Sequence, residues 1–343
     1  MRGAFIGFGN VAETTHLPAW SKVGDMKIVS VVETSPARRD AAKRLLPDAK
    51  IYDSLTHLLE TDRPDFVDVC TPPAYHADAV CAAARAGVAV MCEKPLALSR
   101  EEMAAIREAS AKALVFPIHN WKFSPQLLWA RDQVAKGVIG EPLLFTWRTL
   151  RVASDKGTQS AAPDWRVQKE IAGGGIVFDH GWHAFSMLLG LLRQRPARVS
   201  ARLRTVREGL AVEDTASIRI ELEKADAQVY LSWSAGVRRS EGEVVGRDGV
   251  IRIDDQQVSL SRGGKMEGQT FPEALSARSQ HPDWFLPVIE DFIAELQDSS
   301  RRGTTLMEAE RCLELALGSY TSHLHCGEAV AIGDTGCDRS VVG

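Results

Sequence analysis

The stretch A-F-I-G-F-G-N-V-A, from Ala4 to Ala12, stands almost at the start of the chain and decides its fold. An apolar run leads into the pattern G-x-G-x-x-A, which is typical of a strand that turns tightly into a helix facing a pyrophosphate. Gly7 permits the turn, Gly9 lets the phosphates approach the backbone, and the small Ala12 lets the helix lie close to the strand. The turn residues predicted to contact the ligand are Gly7, Phe8, Gly9, Asn10 and Val11.

A second signal lies at the distance expected for a dinucleotide-binding unit. The run from Met26 to Val32 predicts a strand, and Glu33 follows it directly. An acidic side chain about 20 residues beyond the glycines accepts the hydroxyls of a ribose. We therefore predict NAD as the cofactor, with NADP as the alternative because Arg38 and Arg39 offset part of the negative charge. The competing interpretation is an ordinary strand–helix–strand turn.

Bulk composition frames these motifs. The 343 residues are enough for two domains. Hydrophobic residues make up 45% and charged residues 25%, as is normal for proteins with ordinary cores. The net charge of −4 gives no reason to expect nucleic-acid or membrane partners, and no apolar run approaches the length of a membrane span. The six cysteines show no C-x-x-C pattern, so we expect reduced thiols and a cytoplasmic protein.

The first third of the chain alternates strand-like and helix-like segments. Such alternation predicts an α/β fold with a doubly wound parallel sheet, and ligands then bind at the carboxyl ends of the strands. We assign residues 1–120 to this nucleotide-binding Rossmann domain. The predicted strands are 3–6, 27–32, 66–70, 88–92 and 114–118, and the predicted helices are 11–22, 36–46, 54–60, 74–87 and 99–112.

After residue 120 the pattern changes to strands without intervening helices. Runs of that kind predict an antiparallel or mixed sheet, so we assign residues 121–330 to a second, α+β domain with an open-faced sheet. Residues 331–343, rich in Gly and Asp, are predicted to form a loose tail. The predicted strands are 143–150, 197–205, 213–222, 227–234, 241–247 and 250–260, and the predicted helices are 125–136, 173–192, 283–298 and 304–326.

Polar residues follow the third and fourth strands of the first domain. Lys94 lies in M-C-E-K-P, where its ammonium can reach a substrate hydroxyl and stabilise developing negative charge. The segment T-P-P-A-Y-H, residues 71–76, is predicted to wall the cofactor at the same edge of the sheet. The competing interpretations are a surface lysine beside a turn and, for His76, a histidine satisfied by the backbone at a helix start.

The segment G-G-G-I-V-F-D-H-G-W-H, residues 173–183, carries a second cluster of reactive side chains. Asp179 and His183 are four residues apart, so on an α-helix they share one face. An Asp that orients an imidazole makes it a better general base, and the alternative is a merely local hydrogen bond. His180 points about 100° away from Asp179 on such a helix, which disfavours zinc, and we predict no metal.

Taken in order, these motifs resemble the Gfo/Idh/MocA oxidoreductase family. The motifs are G-x-G-x-x-A, Glu33, T-P-P-x-x-H, E-K-P and G-G-G-x-x-x-D-x-G-x-H, and they span nearly the whole chain. The resemblance implies a Rossmann domain followed by an open-faced mixed sheet. It also implies NAD(P)-dependent hydride transfer to or from a secondary alcohol of a sugar, inositol or related polyol.

The resemblance further implies roles for individual residues. His183 matches the base that takes the hydroxyl proton, Asp179 the residue that orients this base, and Lys94 the residue that binds the reacting oxygen. The positions that match cofactor contacts are Thr71, Pro72, His76, Glu93, Lys94, Asn120, Trp165 and Arg166, and those assigned to the substrate are Lys94, Trp165, Asp179, His180 and His183.

Two positions depart from the family pattern. Ser186 stands where many members carry an Asp three residues after the catalytic His, and His180 replaces a more usual apolar residue. Two other functions stay open from the sequence. One is a glycosidase or lyase that oxidises a sugar transiently and recycles its NAD, and the other is a non-catalytic nucleotide-binding protein.

The open sheet predicts an assembly surface. Alternating apolar residues such as Val229, Leu231 and Trp233 are expected on its uncovered face. Large exposed apolar patches mark partner surfaces, and symmetric homo-oligomers are the common outcome. We therefore expect a homodimer or homotetramer formed through the sheet of residues 197–260, unless the closing helices cover that face.

Overall fold

A parallel sheet forms the first part of the fold, as predicted. The computed structural model describes residues 1–158, 164–278 and 280–333. The strands of this sheet are β1 (Arg2–Ile6), β2 (Lys27–Val32), β3 (Lys50–Tyr52), β4 (Phe66–Val69), β5 (Ala89–Cys92) and β6 (Val115–Pro117). Their order is β3-β2-β1-β4-β5-β6, and all neighbours are parallel. The sequence patterns did not predict β3, because the three residues of this strand offer almost no apolar pattern.

Short helices connect these strands. They are a π-helical turn (Ala12–His16) continued by α1 (Leu17–Trp20), then α2 (Pro36–Leu45), α3 (Leu55–Thr61), α4 (His76–Arg85) and α5 (Arg100–Ser110). At the start of α5, the Ser99 hydroxyl accepts the Glu102 N–H at 3.2 Å, and the Glu102 carboxylate accepts the Leu98 N–H at 2.7 Å. The first bond satisfies an N–H group that a first helical turn leaves unpaired, and the second ties the end of the preceding loop, which carries Lys94, to the helix.

A mixed sheet dominates the second part, which confirms the predicted α+β architecture. Its strands are β7 (Pro142–Leu150), β8 (Pro196–Arg204), β9 (Thr215–Leu222), β10 (Asp226–Ser232), β11 (Arg239–Gly246), β12 (Gly249–Asp254), β13 (Gln257–Arg262), β14 (Lys265–Thr270) and β15 (Val330–Ala331). The order is β14-β13-β12-β11-β7-β10-β9-β8-β15, in which β7 and β10 are parallel. The helices are α6 (Pro125–Ala135), α7 (Lys169–Ala172), α8 (Trp182–Leu192), α9 (Pro282–Gln297) and α10 (Thr304–Leu324).

Two strands of this sheet differ from the prediction. The single strand predicted over 250–260 is the pair β12 and β13, because the chain reverses at Asp255, whose φ is +55°. Asp tolerates this left-handed conformation better than most residues. Strand β14 was missed because all six of its residues are exposed and show no apolar alternation.

The apolar residues predicted on the uncovered face of the sheet lie in the core instead. Val229, Leu231 and Trp233 are 2%, 0% and 1% exposed. Helices α8 and α10 pack against the sheet, and a Cβ at Gly318 of α10 would lie only 2.7 Å from Val199. The prediction of an exposed apolar assembly face is therefore wrong. Alternation along a strand separates two faces but does not say which one the helices cover.

The opposite face of the sheet is polar. Arg148 pairs with Glu241 at 2.5 Å, and Arg252 pairs with Glu243 at 2.9 Å. Tyr230 stands among these charges with 36% of its surface exposed. The outer face thus consists of cross-strand ion pairs around an aromatic ring.

The closing helices bind the two sheets together. Phe292 of α9 contacts Phe66 and Phe116 of the parallel sheet at ring-centroid distances of 5.8 and 5.6 Å. Arg100 of α5 pairs with Glu314 of α10 at 2.7 Å. Packing contacts, in addition to the chain connection, therefore hold the two sheets in place relative to each other.

The predicted division at residue 120 stays a prediction, since helix α9 packs on the first part of the fold. Of the predicted tail, residues 334–343 lie outside the described residues. Within the described ranges, we find no helix that combines the length and the apolar character needed to cross a membrane.

Candidate active site

A cleft of about 1000 Å³ lies between the carboxyl ends of the parallel strands and the loops of the mixed sheet. It gathers most of the residues that the sequence predicted as functional. Phe8 and His76 are instead fully buried behind its wall. The predicted residues in the wall are Gly7, Gly9, Asn10, Val11, Glu33, Thr71, Pro72, Glu93, Lys94, Asn120, Trp165, Arg166, Asp179, His180 and His183.

The glycine turn forms one end of the cleft. Gly7 has a φ of +82°, which side chains rarely adopt, and a Cβ there would lie 3.1 Å from the backbone nitrogen of Thr71. A Cβ at Gly9 would meet nothing within 4 Å, so the space beside Gly9 is open. The turn therefore fits a pyrophosphate approaching the backbone closely.

Glu33 braces this turn. Its Oε2 accepts the N–H of Phe8 at 2.7 Å, and its Oε1 accepts the N–H of Ser35 at 2.8 Å. Arg38 donates to the Phe8 carbonyl at 2.7 Å and to the Glu13 carboxylate at 2.5 Å. Each carboxylate oxygen retains a second acceptor site, so Glu33 can also bond a ribose hydroxyl in the cleft.

His76 ties two loops of the wall together. Its Nδ1 lies 2.7 Å from the Pro95 carbonyl, and its Nε2 lies 2.8 Å from the Thr71 carbonyl. Burial lowers the pKa of this imidazole against the pull of the two carbonyls. The peptide bond between Lys94 and Pro95 is cis. His76 therefore positions Thr71 and Lys94 from behind and does not face the cleft.

A buried polar network holds Glu93 in the wall. His16 places Nε2 at 3.1 Å from Glu93 Oε1 and Nδ1 at 2.9 Å from Asp68 Oδ2. Trp20 donates its indole N–H to the same Asp68 oxygen at 2.8 Å. Burial lowers the pKa of His16, but Asp68 and Cys70 outweigh burial and hold that pKa well above its usual value. A protonated His16 thus stands between two carboxylates and fixes Glu93.

Lys94 and Asp179 meet across the cleft. Lys94 Nζ donates to Asp179 Oδ1 at 2.5 Å and to the Asp179 carbonyl at 3.0 Å. Burial alone would raise the pKa of Asp179, but the charges of Lys94 and Arg166 hold it well below its usual value. An ammonium has three donors, so one N–H of Lys94 remains for a ligand.

His183 lies beside this pair. Its ring stacks on Trp121 with centroids 5.2 Å apart, and it is 9% exposed. Burial lowers the pKa of His183 well below its usual value, and the charge of Lys94 lowers it further. The imidazole is therefore neutral near pH 7 and able to accept a proton.

The expected hydrogen bond from the His183 imidazole to the Asp179 carboxylate is not among those of the described residues. Nδ1 of His183 is buried without a protein partner. Residues Val177–Gly181 form a π-helical turn, which is wider than an α-helical turn. Positions four residues apart therefore do not stack as they would on an α-helix.

His180 takes the place beside Asp179 instead. Its Nδ1 lies 3.2 Å from Asp179 Oδ2 and 3.2 Å from the indole nitrogen of Trp233. An indole N–H only donates, so an Nδ1 that accepts it carries no proton. Burial lowers the pKa of His180 against the pull of Asp179, which favours this neutral form. His180 thus links the π-helical turn to Trp233, the residue that follows strand β10.

Comparison with known proteins identifies the family. The family model described as "Oxidoreductase family, NAD-binding Rossmann fold" matches residues 1–116, and the one described as "GFO/IDH/MocA C-terminal domain" matches residues 127–252. The chain belongs to the Gfo/Idh/MocA oxidoreductase family. The predicted NAD-binding oxidoreductase of this family is thereby confirmed.

Two relatives of this family member that are named as dehydrogenases illustrate the similarity. D-glucoside 3-dehydrogenase of Escherichia coli (strain K12) is 32% identical over 197 residues, which cover 56% of this chain and 54% of that protein, about half its length. Inositol 2-dehydrogenase of Rhizobium meliloti (strain 1021) is 26% identical over 285 residues, 82% of this chain and 77% of that protein. These names do not favour an NAD-recycling glycosidase or a non-catalytic protein.

A solved structure shares the whole fold. An oxidoreductase from Agrobacterium radiobacter, in complex with NAD+, L-tartaric acid and magnesium, superposes with a TM-score of 0.85 at 21% identity. The match covers 97% of this chain and 98% of that one. Similarity at this level shows the fold of this oxidoreductase and confirms the predicted architecture.

Sequence reasoning missed His16, Trp121 and Arg151, although all three shape the site of this oxidoreductase. A signal existed for two of them, because His16 is a polar residue in the first helix and Arg151 directly follows an apolar strand. His16, Asp68 and Cys70 also place ligand atoms within 4.8 Å of one another. Their mutual hydrogen bonds account for that grouping, so we assign no metal to it.

Proposed function

We propose that this protein transfers a hydride between NAD and a secondary alcohol of a sugar, inositol or related polyol. The observation that carries the proposal is the meeting of Lys94, Asp179 and His183 in the same cleft as the glycine turn. A neutral base and a cationic hydrogen-bond donor are the two groups that alcohol oxidation requires beside a hydride acceptor. The relatives named as glucoside and inositol dehydrogenases support this substrate class.

The residues of the cleft fit a dinucleotide. Gly7 and Gly9 would receive its pyrophosphate and Glu33 a ribose hydroxyl. Thr71 Oγ1 and Asn120 Oδ1 are buried side-chain atoms of the wall without a protein partner, as expected of atoms that serve a ligand. When bound, NAD supplies the hydride acceptor.

The protein's own groups would handle the alcohol. Lys94 donates its remaining N–H to the reacting oxygen and stabilises charge that develops there. His183 accepts the hydroxyl proton as the C–H bond yields its hydride and the carbon becomes a carbonyl. Asp179 holds the Lys94 ammonium in place through two of its three donors.

NAD is the preferred cofactor in this proposal. The Glu33 carboxylate stands where a 2′-phosphate would be repelled. Arg38, the nearest cation that could attract that phosphate, is already bonded to the Phe8 carbonyl and the Glu13 carboxylate. A relative named scyllo-inositol 2-dehydrogenase (NADP(+)) indicates that this family also contains NADP-linked members.

Assembly is proposed through the polar outer face of the mixed sheet, as a homodimer or homotetramer. Rows of Arg and Glu such as Arg148 and Glu241 allow one copy to complement another about a twofold axis. Light scattering at micromolar concentration should give a multiple of the 37.5 kDa chain. A monomer mass would contradict this assembly.

A cytoplasmic location is proposed from cysteine usage. The described cysteines are unpaired, and Cys70, Cys92 and Cys312 are buried as thiols. Unpaired thiols are typical of a reducing compartment. Cell fractionation would contradict the proposal if the protein were found outside the cytoplasm.

The decisive experiment is a dehydrogenase screen. The purified protein is incubated with sugars, inositols and amino sugars, each with NAD and with NADP, and formation of the reduced cofactor is followed. We expect reduction of NAD with at least one substrate class, and its loss in Lys94→Ala. A sugar product formed without cofactor turnover would support the recycling mechanism instead.

A further inference from the structure

The half of the cleft beyond Glu93 is strongly cationic. Glu93 itself lies at the boundary of this half and forms an ion pair with His16. In the described wall of this half, two carboxylates, Asp155 and Asp179, face a larger set of cations. The cations are Lys94, Arg151, Lys156, Arg166, Arg238 and Arg278, of which Arg238 lies 3.8 Å from Asp155 and Arg278 is paired with Glu273 outside this wall. A cleft lined by one sign of charge concentrates ligands of the opposite sign.

Arg151 is the cation at the floor of this half. It is 1% exposed, and its terminal nitrogens donate only to neutral acceptors, two backbone carbonyls and the Ser240 hydroxyl, at 2.8 to 3.0 Å. Its Nε is buried without a partner, and no ion pair joins Arg151 to a carboxylate of the described chain. Burial and the neighbouring Arg238 lower the pKa of this guanidinium to about 10. The group therefore stays charged at neutral pH.

Arg151 lies close to the catalytic groups. Its guanidinium carbon is 5.9 Å from the ring centroid of Trp121, on which His183 stacks. On the other side, Arg166 Nε is 4.0 Å from Asp179 Oδ2. Cations thus surround the place between Lys94 and His183 where the reacting hydroxyl would lie.

A buried charge without a counter-ion costs free energy that a ligand of opposite charge recovers. The pyrophosphate of a dinucleotide does not provide this counter-ion, because the glycine turn that receives it forms the opposite end of the cleft. Asp155, Asp255 and Asp179 act on Arg151 only from beyond ion-pair distance, so a neutral polyol would leave it without a direct counter-ion. Guanidinium groups bind carboxylates through paired hydrogen bonds, so a carboxylate is the expected counter-ion.

We propose that the substrate is a sugar acid, a polyhydroxy compound that carries a carboxylate near the alcohol to be oxidised. This inference rests on the proposed hydride transfer and names its substrate class. The carboxylate lies in the half of the cleft around Arg151 and Lys156, while Lys94 and His183 act on a hydroxyl of the same molecule. The carboxylate itself undergoes no change.

The first test compares matched substrates at saturating NAD. The pairs are a hexuronate with its parent hexose and an aldonate with its parent alditol, and the hexose phosphate forms a third arm. We expect kcat/KM for the acids to exceed that for the neutral partners by about tenfold or more. The acid's KM should rise between about 0.01 M and about 0.15 M ionic strength, as the screening length falls from about 30 Å to about 8 Å.

The second test removes single charges. Lys156→Gln changes an exposed side chain of the wall, and we expect about a threefold to tenfold higher KM for the acid with little change for the neutral partner. Lys112→Gln removes the same charge from an exposed position outside the cleft and should leave both KM values unchanged. Arg151→Met should abolish the preference for acids, and its folding is checked by a thermal melt.

The outcomes separate the two proposals. Neutral sugars oxidised as well as their acids, or hexose phosphates preferred over hexuronates, would overturn the sugar-acid assignment while leaving hydride transfer standing. Reduction of NAD with none of these substrates would overturn the proposed function, and this inference with it.

Discussion

The two halves of the cleft differ in whether their charged side chains have partners within the protein. In the cofactor half, Glu33 accepts two backbone N–H groups, and Glu93 is held by His16. In the substrate half, among the described residues, Arg151 has no carboxylate partner and His183 Nδ1 has no partner. The protein thus pairs Glu33 and Glu93 of its cofactor half internally but leaves Arg151 of the substrate half to be paired by a ligand.

The sharpest test of the substrate half is His183→Ala. If His183 is the base, its loss should lower kcat by about 10²- to 10⁴-fold. Because burial and the charge of Lys94 lower its pKa, the wild-type rate should stay level down through about pH 6.5 and fall only below that value. The variant should lack this acid limb when kcat is measured against pH. A variant that keeps the limb would assign the base elsewhere, with His180→Gln the next variant to measure.

Lys94→Ala tests the catalytic role of the lysine that lies between the two halves. Its side chain bridges to Asp179 and offers one further donor to the reacting oxygen, so kcat should fall by about 10²- to 10³-fold. Cofactor affinity, measured by fluorescence titration with NADH, should change little, because the glycine turn and Glu33 are untouched. Near wild-type kcat on the true substrate would remove Lys94 from the catalytic group.

His16→Gln tests the claim that the carboxylates of the cofactor half are paired within the protein. Removing one member of a buried ion network should lower the free energy of unfolding by about 3–5 kcal/mol. The folded pKa of His16 is raised, so its stabilisation is fully present below about pH 6.5 and is lost as the pH rises through the folded value.

Urea denaturation of both proteins across this pH range measures the effect of His16. The difference between wild type and His16→Gln should be largest at low pH and shrink as the pH rises. A difference independent of pH would show that His16 is not charged in the folded protein.

Glu33→Gln tests whether the negative charge of Glu33 selects the cofactor, separately from its hydrogen bonds to the glycine turn. Its amide keeps one acceptor for the Phe8 N–H, so the turn should survive, while the negative charge that repels a 2′-phosphate is gone. The NAD-to-NADP ratio of kcat/KM should fall by about tenfold to a hundredfold, the range for a charged hydrogen bond. An unchanged ratio would mean that other groups select the cofactor.

Ser186→Ala should have the smallest effect. The Ser186 hydroxyl is buried and donates to the His183 carbonyl at 3.0 Å, not to the imidazole. Its loss should cost about 0.5–1.5 kcal/mol of stability and leave the pH profile of kcat unchanged. A shifted acid limb would show that Ser186 takes over the function of the Asp found in many relatives.

Local patterns were enough to predict the cofactor half. The glycine turn, Glu33 and Lys94 each stand at the end of a strand, and parallel strands bring their carboxyl ends to one edge. A motif of a few residues fixes such a position because backbone geometry and strand period are local properties. The family motifs added Asp179 and His183 to the same cleft, where the structure places them.

Only the tertiary structure decided how the substrate half is arranged. The π-helical turn at Val177–Gly181 put His180 rather than His183 beside Asp179, and packing of α10 reversed the expected faces of the mixed sheet. Arg151 became a buried cation through bonds to residues nearly 90 positions away in the chain. Burial and the charges that gather around a side chain depend on contacts between distant segments, and no local pattern in the sequence encodes them.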